Sequence, residues 1–311
     1  MATLEIVRAG ILTTVQDLGR PGWGAFGVPP SGAMDAFAAR AANHLVGNAP
    51  GAAVLELTGA GAALAVDEDR IIAVGGADLD GQISADGVCR PLPLWRTVVL
   101  GPGQTLRFVQ RRSGGRAELA IAGGLQVDTV FGSAATDVTN QLGGWFARPL
   151  RAGDRLPIGP APARSARVLS AAAIEAAYAD RFRLRFVPTP GIFPALLARM
   201  QETSFTVTPQ SNRVGFRLRA DSAAPLAGDA TGTRLSEPLA AGTIQLPPDG
   251  QPILLMADRQ TIGGYPIAGH VIAADFSRAA QLWPGDRVRF VAVEIAEALW
   301  LLRQQAILLE H

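Results

Sequence analysis

PLRAGDRLPIG (residues 149–159) returns 132 residues later as QLWPGDRVRFV (residues 281–291), and the echo sets the expected fold. Both stretches place Gly-Asp-Arg between a turn and a run of alternating apolar residues, the pattern of a tight turn entering a β-strand. Upstream, AIAGG (120–124) is echoed by TIGGY (261–265), in the same order and at a similar offset. Two matches in one order point to a duplicated β-barrel. The expected class is therefore mainly β with a few helices, in two related subdomains over residues 1–160 and 161–311, the second ending in a helix.

Working outward, Leu4–Val7, Ile71–Val74, Thr97–Leu100, Thr105–Val109 and Glu118–Ile121 read as strands bounded by Gly or Pro. One helix stands among them, from about Ala33 to Val46. Ser31 is its expected N-cap and Gly47 its stop, with Met34, Phe37, Ala38, Ala41 and Leu45 as the core-facing stripe. A composition break over 157–167 links the halves, and an Ala-rich helix follows over 171–179. Beyond it, Phe182–Val187, Phe205–Thr208, Arg213–Arg219, Thr243–Leu246 and Pro252–Met256 read as strands. The last two flank the hairpin turn Pro247-Pro248-Asp249-Gly250. Ile295, Leu299, Leu302, Ala306 and Leu309 are expected to turn one apolar face of the final helix inward.

Composition excludes several chemistries. All 28 Lys+Arg residues are arginine, so this chain cannot carry biotin on a lysine, form a lysine Schiff base or build a P-loop ending in Gly-Lys-Ser/Thr. Three histidines and a single cysteine argue against a structural zinc site and exclude an internal disulfide. A net charge of +1 gives no field to attract nucleic acid or an anionic membrane. No signal peptide and no apolar run of membrane-crossing length is present, so a cytoplasmic location is expected. His44 reads as a core histidine and Cys89 as a buried or inert thiol; His270 follows Gly269 in a strand-like run, where a structural histidine is favoured over a general base.

Three polar clusters remain as candidate sites. In TTVQDLGRPGWGAFGVPPSGAMD (13–35), Arg20, Gly22, Ser31, Gly32 and Asp35 combine a guanidinium, close backbone approach and the N–H groups of a helix start, which suit an anion or carbonyl oxygen. A capped loop with Asp35 complementing the helix dipole would use the same residues. In PQSNRVGFRL (209–218), Asn212 and Arg213 suit a planar ligand with carbonyl and N–H groups, or simply form an arginine face on a strand. In ADRQTIGGYP (257–266), Asp258, Arg259, Gln260, Gly263, Gly264 and Tyr265 leave a buried strand together; Asp258 with Arg259 could instead be a structural ion pair. Binding groups outnumber any nucleophile, which implies a partner protein.

These blocks carry a resemblance. TTVQDLGRPGWGAFGVPPSGAMD with the following AANHLVGN, then SNRVGFRL, GTIQLPPDGQPILLMADRQTIGGYP and QLWPGDRVRF, resemble in order the motifs of the allophanate hydrolase subunit 2 family. That family also holds the C-type subunits of 5-oxoprolinases, the Kip inhibitor antagonist and one half of the urea carboxylase carboxyltransferase domain. Gly269-His270 departs from its pattern, where a smaller polar residue such as Thr is expected. The resemblance implies two cyclophilin-like β-barrel subdomains. It also implies a partner similar to the B-type subunit of 5-oxoprolinase, or to allophanate hydrolase subunit 1. In the 5-oxoprolinase branch it implies ATP as co-substrate and a third, lactam-hydrolysing subunit, with Arg20, Arg213 and Arg259 suited to phosphates and the substrate carboxylate. In the carboxylase branch it implies biotin carried on another chain and a urea-like acceptor; in the Kip branch, a regulatory antagonist that binds a kinase inhibitor.

Overall fold

The computed structural model describes residues 1–161, 167–221, 226 and 235–310. The fold is mostly β, with 36% strand and 18% helix. It divides into two compact units, Met1–Arg20 with Ser31–Ser170, and Pro21–Pro30 with Ala171–His311.

The first unit holds two sheets around one apolar core. Six strands run in the order Arg155–Pro157, Thr3–Ala9, Ala62–Val66, Thr105–Phe108, Gly81–Ala85, Val88–Pro91. Five more run Leu12–Gln16, Val54–Thr58, Ser113–Ile121, Arg70–Asp78, Val98–Leu100. Strand alternation sends Leu4, Ile6, Val15, Leu55, Leu57, Leu64, Val74, Leu106 and Leu119 into this core. The helix Ala36–Val46 packs on the strands Arg70–Asp78 and Ser113–Ile121.

The second unit is a closed barrel of seven strands, in the order Arg183–Pro188, Ile267–Val271, Thr243–Gln245, Ile253–Leu255, Gly215–Ala220, Phe205–Val207, Arg287–Ala292. Closure removes both sheet edges. Phe186, Phe205, Phe216 and Phe290 are fully buried, and the Phe290 ring lies 5.8 Å from Phe186 and 5.5 Å from Phe205 between centroids. The hairpin over 247–250 is present, with Gly250 N–H donating to Pro247 O at 2.9 Å. A small ribbon, Glu237–Pro238 paired with Ile262–Gly263, stands apart from the barrel's hydrogen bonding.

The repeated Gly-Asp-Arg turns are built alike. Gly153 and Gly285 are both left-handed, with φ of 89° and 95°. Each donates its N–H at 2.8 Å to a strand carbonyl, Ile6 O in one unit and Val207 O in the other. Asp154 Oδ2 then accepts from Arg151 N–H (2.7 Å) as Asp286 Oδ2 does from Trp283 N–H (2.9 Å). The Gly-Gly echo differs: Gly123 and Gly124 are left-handed, while Gly263 and Gly264 are not. The sequence echo is thus matched in backbone geometry at the first pair of turns and not at the second.

Several local expectations change. The helix starts at Ala36 and its N-cap is Asp35, whose side chain accepts from Ala38 N–H; Ser31, the expected cap, sits outside it. The terminal helix Ile295–Glu310 exists, but Ile295, Leu299 and Leu302 are exposed, and the partly covered positions are Ala298, Leu301 and Gln305. The Leu309 side chain, like part of the linker over 157–167, lies outside the described residues. His44 and Cys89 are exposed rather than buried. The helix Pro194–Glu202 was not anticipated; Pro194 at its first turn presets φ for it.

Candidate functional site

The N-terminal cluster is built into the interior of the first unit. Asp17 accepts from Gly19 N–H (2.7 Å), Ser133 Oγ (2.6 Å) and Ala134 N–H (2.7 Å). Arg20 is 1% exposed and donates through Nε to Val130 O (3.3 Å) and through Nη2 to Ala135 O. Asp17 and Arg20 therefore pin one long loop between the strands Ser113–Ile121 and Arg155–Pro157. The N–H groups expected to receive an anion are already engaged: Ala33 donates to Asp17 O (2.8 Å) and Met34 to Glu56 Oε2 (2.7 Å). Gly32 is left-handed, and a Cβ there would lie 2.7 Å from Gly19 N, so only glycine allows this approach. Ser31 is also left-handed (φ 53°), and its buried hydroxyl has no hydrogen-bond partner among the described residues. Gly22 turns in open space, in the short segment that groups with the second unit.

In the second unit the other two clusters converge. Asn212 is exposed, and its Oδ1 accepts from Val214 N–H at 2.8 Å, an Asx-turn that leads into the strand Gly215–Ala220. Arg213 does not join the exposed arginine face with Arg217 and Arg219. It is buried and forks onto Asp258, Nε to Oδ2 at 2.8 Å and Nη2 to Oδ1 at 2.9 Å. The ion pair of this region is therefore Arg213–Asp258, not Asp258–Arg259. Backbone bonds reinforce it, Asp258 N–H to Arg213 O (3.0 Å) and Met256 N–H to Val214 O (2.9 Å).

Arg259 is left differently placed. Its Nε donates to Leu239 O (3.1 Å), its Nη1 reaches Met256 O at 3.4 Å, and no carboxylate pairs with it among the described residues. Partial burial lowers its pKa, yet a guanidinium stays protonated at neutral pH. Gln260 Nε2 points to Gln245 Oε1 at 3.4 Å, and Gly263 lies against both amides. Gly264 and Tyr265 continue the same loop, with Tyr265 half exposed. A neighbouring strand pair adds His270, whose Nδ1 lies 3.1 Å from Thr243 Oγ1. Partial burial lowers the His270 pKa, with Glu237 acting in the opposite direction. Within this unit the amides of Gln245 and Gln260 meet at Gly263, Arg259 on the same loop is bonded to Leu239 O and Met256 O, and His270 is bonded to Thr243 on the adjoining strand. Such a set can hold a planar ligand that bears a carboxylate and an amide.

The sequence reading missed Asp17, Glu56, Glu118 and Gln245. Thr14, Glu56 and Glu118 stand in register across three neighbouring strands, all buried, with Arg116 Nε 3.9 Å from Glu56 Oε1. The available signal was a carboxylate inside an otherwise apolar strand, VLELT or RAELA, because burial there demands partners. Gln245 had the same signal, an amide in the apolar run TIQL.

Residues 26–292 match the family described as carboxyltransferase domain, subdomain A and B. The chain is 36% identical over 301 residues to the C-type subunit of the Escherichia coli 5-oxoprolinase, covering 95% of this chain and 93% of that protein. It is 32% identical to the C-type subunit of the Haemophilus influenzae 5-oxoprolinase, covering 99% and 97% respectively. Among solved structures, the K. lactis urea amidolyase superposes with a TM-score of 0.87 at 26% identity, over 99% of this chain and 20% of that much longer one. No helix among the described residues is long and apolar enough to cross a membrane. With most of its length inside one family model and two relatives above 30% identity end to end, the chain belongs to the carboxyltransferase domain A and B family and groups within it with the C-type subunits of 5-oxoprolinases.

Proposed function

We propose that the chain is the C-type subunit of an ATP-dependent 5-oxoprolinase, a cytoplasmic complex that opens the 5-oxoproline lactam to L-glutamate. Its partner would be the B-type subunit, and a third subunit would finish hydrolysis. The observation that carries this choice is Arg259, a half-buried guanidinium that donates to two backbone carbonyls and has no carboxylate among the described residues, on the same loop as Gln260. A lactam that carries a carboxylate offers one group to the arginine and the other to the amides. Near-complete coverage of the C-type subunits of two 5-oxoprolinases supports the same choice. ATP is the co-substrate that activates the lactam oxygen by phosphorylation, which makes the ring carbon open to water. The part proposed for this chain is to bind and orient the lactam.

A second role, the acceptor half of a biotin-dependent carboxyltransferase, is favoured by the likeness to the urea amidolyase. Biotin would then arrive on another chain, and a urea-like acceptor would meet the same amides. One experiment separates the two. The chain is reconstituted with its B-type and third subunits and given ATP with 5-oxoproline in one tube, and carboxybiotin with urea in another. Glutamate and ADP in the first tube are expected. Carboxyl transfer in the second, with no turnover in the first, would replace the first role by the second.

A further inference from the structure

A cavity of about 360 Å³ opens in the first unit beside the edge strand Val88–Pro91, within the roughly 300–1,000 Å³ typical of sites that hold small molecules. Four charged side chains line it, Asp78 and Asp80 against Arg90 and Arg112, together with the exposed Cys89 thiol. Asp80 organises one side. It is 8% exposed and left-handed (φ 53°), a conformation that glycine would adopt freely. Its carboxylate accepts from Arg112 Nη2 at 2.7 Å and from Gln110 Nε2 at 3.1 Å, and Gln82 Nε2 reaches it at 3.5 Å. What the strained backbone secures is a carboxylate that gathers three side chains.

Asp80 and Arg112 satisfy each other; the second pair of charges does not. Asp78 Oδ1 accepts from Asp80 N–H at 2.9 Å, and its Oδ2 has no partner among the described residues. Arg90 donates through Nη2 to Val99 O at 3.2 Å, and no carboxylate pairs with it among the described residues. One carboxylate oxygen and one guanidinium edge thus line the same cavity with opposite charge, and Leu92 and Leu94 add an apolar wall. Because the two acidic and two basic groups cancel, a lone anion or cation gains little from the cavity's field, whereas a ligand with one charge of each sign meets an opposite charge at both ends. We infer that this cavity binds a small zwitterion, an α-amino acid, with its carboxylate on Arg90, its ammonium on Asp78 and its side chain against Leu92 and Leu94. The lining residues belong to the first unit and Arg259 to the second, and the ligand class does not depend on the activity proposed above.

The test uses the thiol as a reporter. Cys89 is the chain's single cysteine, so its alkylation by iodoacetamide, followed by intact mass on the full chain, reads this cavity alone. The probes are L-glutamate and L-leucine, zwitterions with a polar and an apolar side chain. With either at about ten times its dissociation constant, the alkylation rate is expected to fall about tenfold, and the effect should saturate. Glutarate, which lacks the ammonium, should protect far less. Asp78→Asn keeps the acceptor for Asp80 N–H and removes the charge, while Arg90→Gln removes the guanidinium from an exposed position. Each should abolish protection with the thermal midpoint at the wild-type value; if Asp78→Asn lowers the midpoint, Arg90→Gln carries the test. Failure of both amino acids to slow alkylation, equal protection by glutarate, or protection that survives the substitutions would overturn the inference.

Discussion

Arg20 and Arg259 both sit in glycine-rich segments that suggested ligand binding, and both donate to backbone carbonyls. Arg20 is enclosed in the first unit, where with Asp17 it ties down a loop more than one hundred residues away in sequence. Arg259 is half exposed in the second unit, next in sequence to Gln260, and its charge has no carboxylate partner among the described residues. The same residue type in similar local sequence therefore serves two ends. What separates them is burial, which is not set by neighbours in sequence. The glycine-rich N-terminal motif holds Arg20 on the carbonyls of Val130 and Ala135, whereas ADRQTIGGYP holds a guanidinium that is half exposed.

Three substitutions sharpen this contrast. The largest effect is expected from Asp258→Ala, which leaves the buried Arg213 guanidinium without its bidentate partner and should destabilise the second unit by about 3–5 kcal/mol. Chemical denaturation followed beside the parent measures it, and Arg213→Ala in the Asp258→Ala background should cost little more. Arg20→Ala comes next. It strands the carbonyls of Val130 and Ala135, at about 1–3 kcal/mol for each left unsatisfied. Whatever fraction folds should keep its affinity for substrate, and a normal thermal midpoint with a raised KM would show that Arg20 belongs to the site after all.

The smallest effect concerns acid. Asp154, in the repeated turn of the first unit, is held below the ordinary carboxylate range chiefly by side-chain bonds from Arg148, at 2.8 Å to each oxygen. In the second unit Asp221 is lowered chiefly by the Thr206 hydroxyl, with Arg287 adding to it. A carboxylate with a lowered folded pKa adds stability that is complete above its unfolded value, about 3.9, and is lost as pH falls through the folded value. Asp154→Asn should therefore melt below wild type at pH 6, and the gap should close as the pH is taken below about 4. A gap that widens with acid would contradict the sign.

The mainly β class, most strand positions, the Gly47 stop and the 247–250 hairpin were legible because alternation and turn residues are local signals. The Gly-Asp-Arg pair was legible for the same reason: one turn geometry needs the same three residues wherever it occurs. Three failures share one cause. Ser31 looked like a cap, Arg213 like a member of an exposed face, and the stripe from Ile295 like a buried seam. Each was decided by a residue distant in sequence or by the absence of a packing surface. Ser31 and Gly32 are left-handed, with Gly32 close against Gly19, so the helix begins only at Ala36 with Asp35 as its cap. Asp258, 45 residues downstream, drew Arg213 inward. The loop of Arg259, Gln260, Gly263, Gly264 and Tyr265 could be read from the sequence as a cluster, but the contact of Gln260 with Gln245 came only through the fold.

The most direct test of the contrast is the KM for 5-oxoproline of the reconstituted complex carrying Arg259→Ala, with its thermal midpoint read on the same sample. Losing one charge-assisted bond to the substrate carboxylate should raise KM, and lower kcat/KM about ten- to hundredfold, while the midpoint stays at the wild-type value. A wild-type KM combined with a lowered midpoint would contradict it, and would make Arg259 a second strut of the kind Arg20 is.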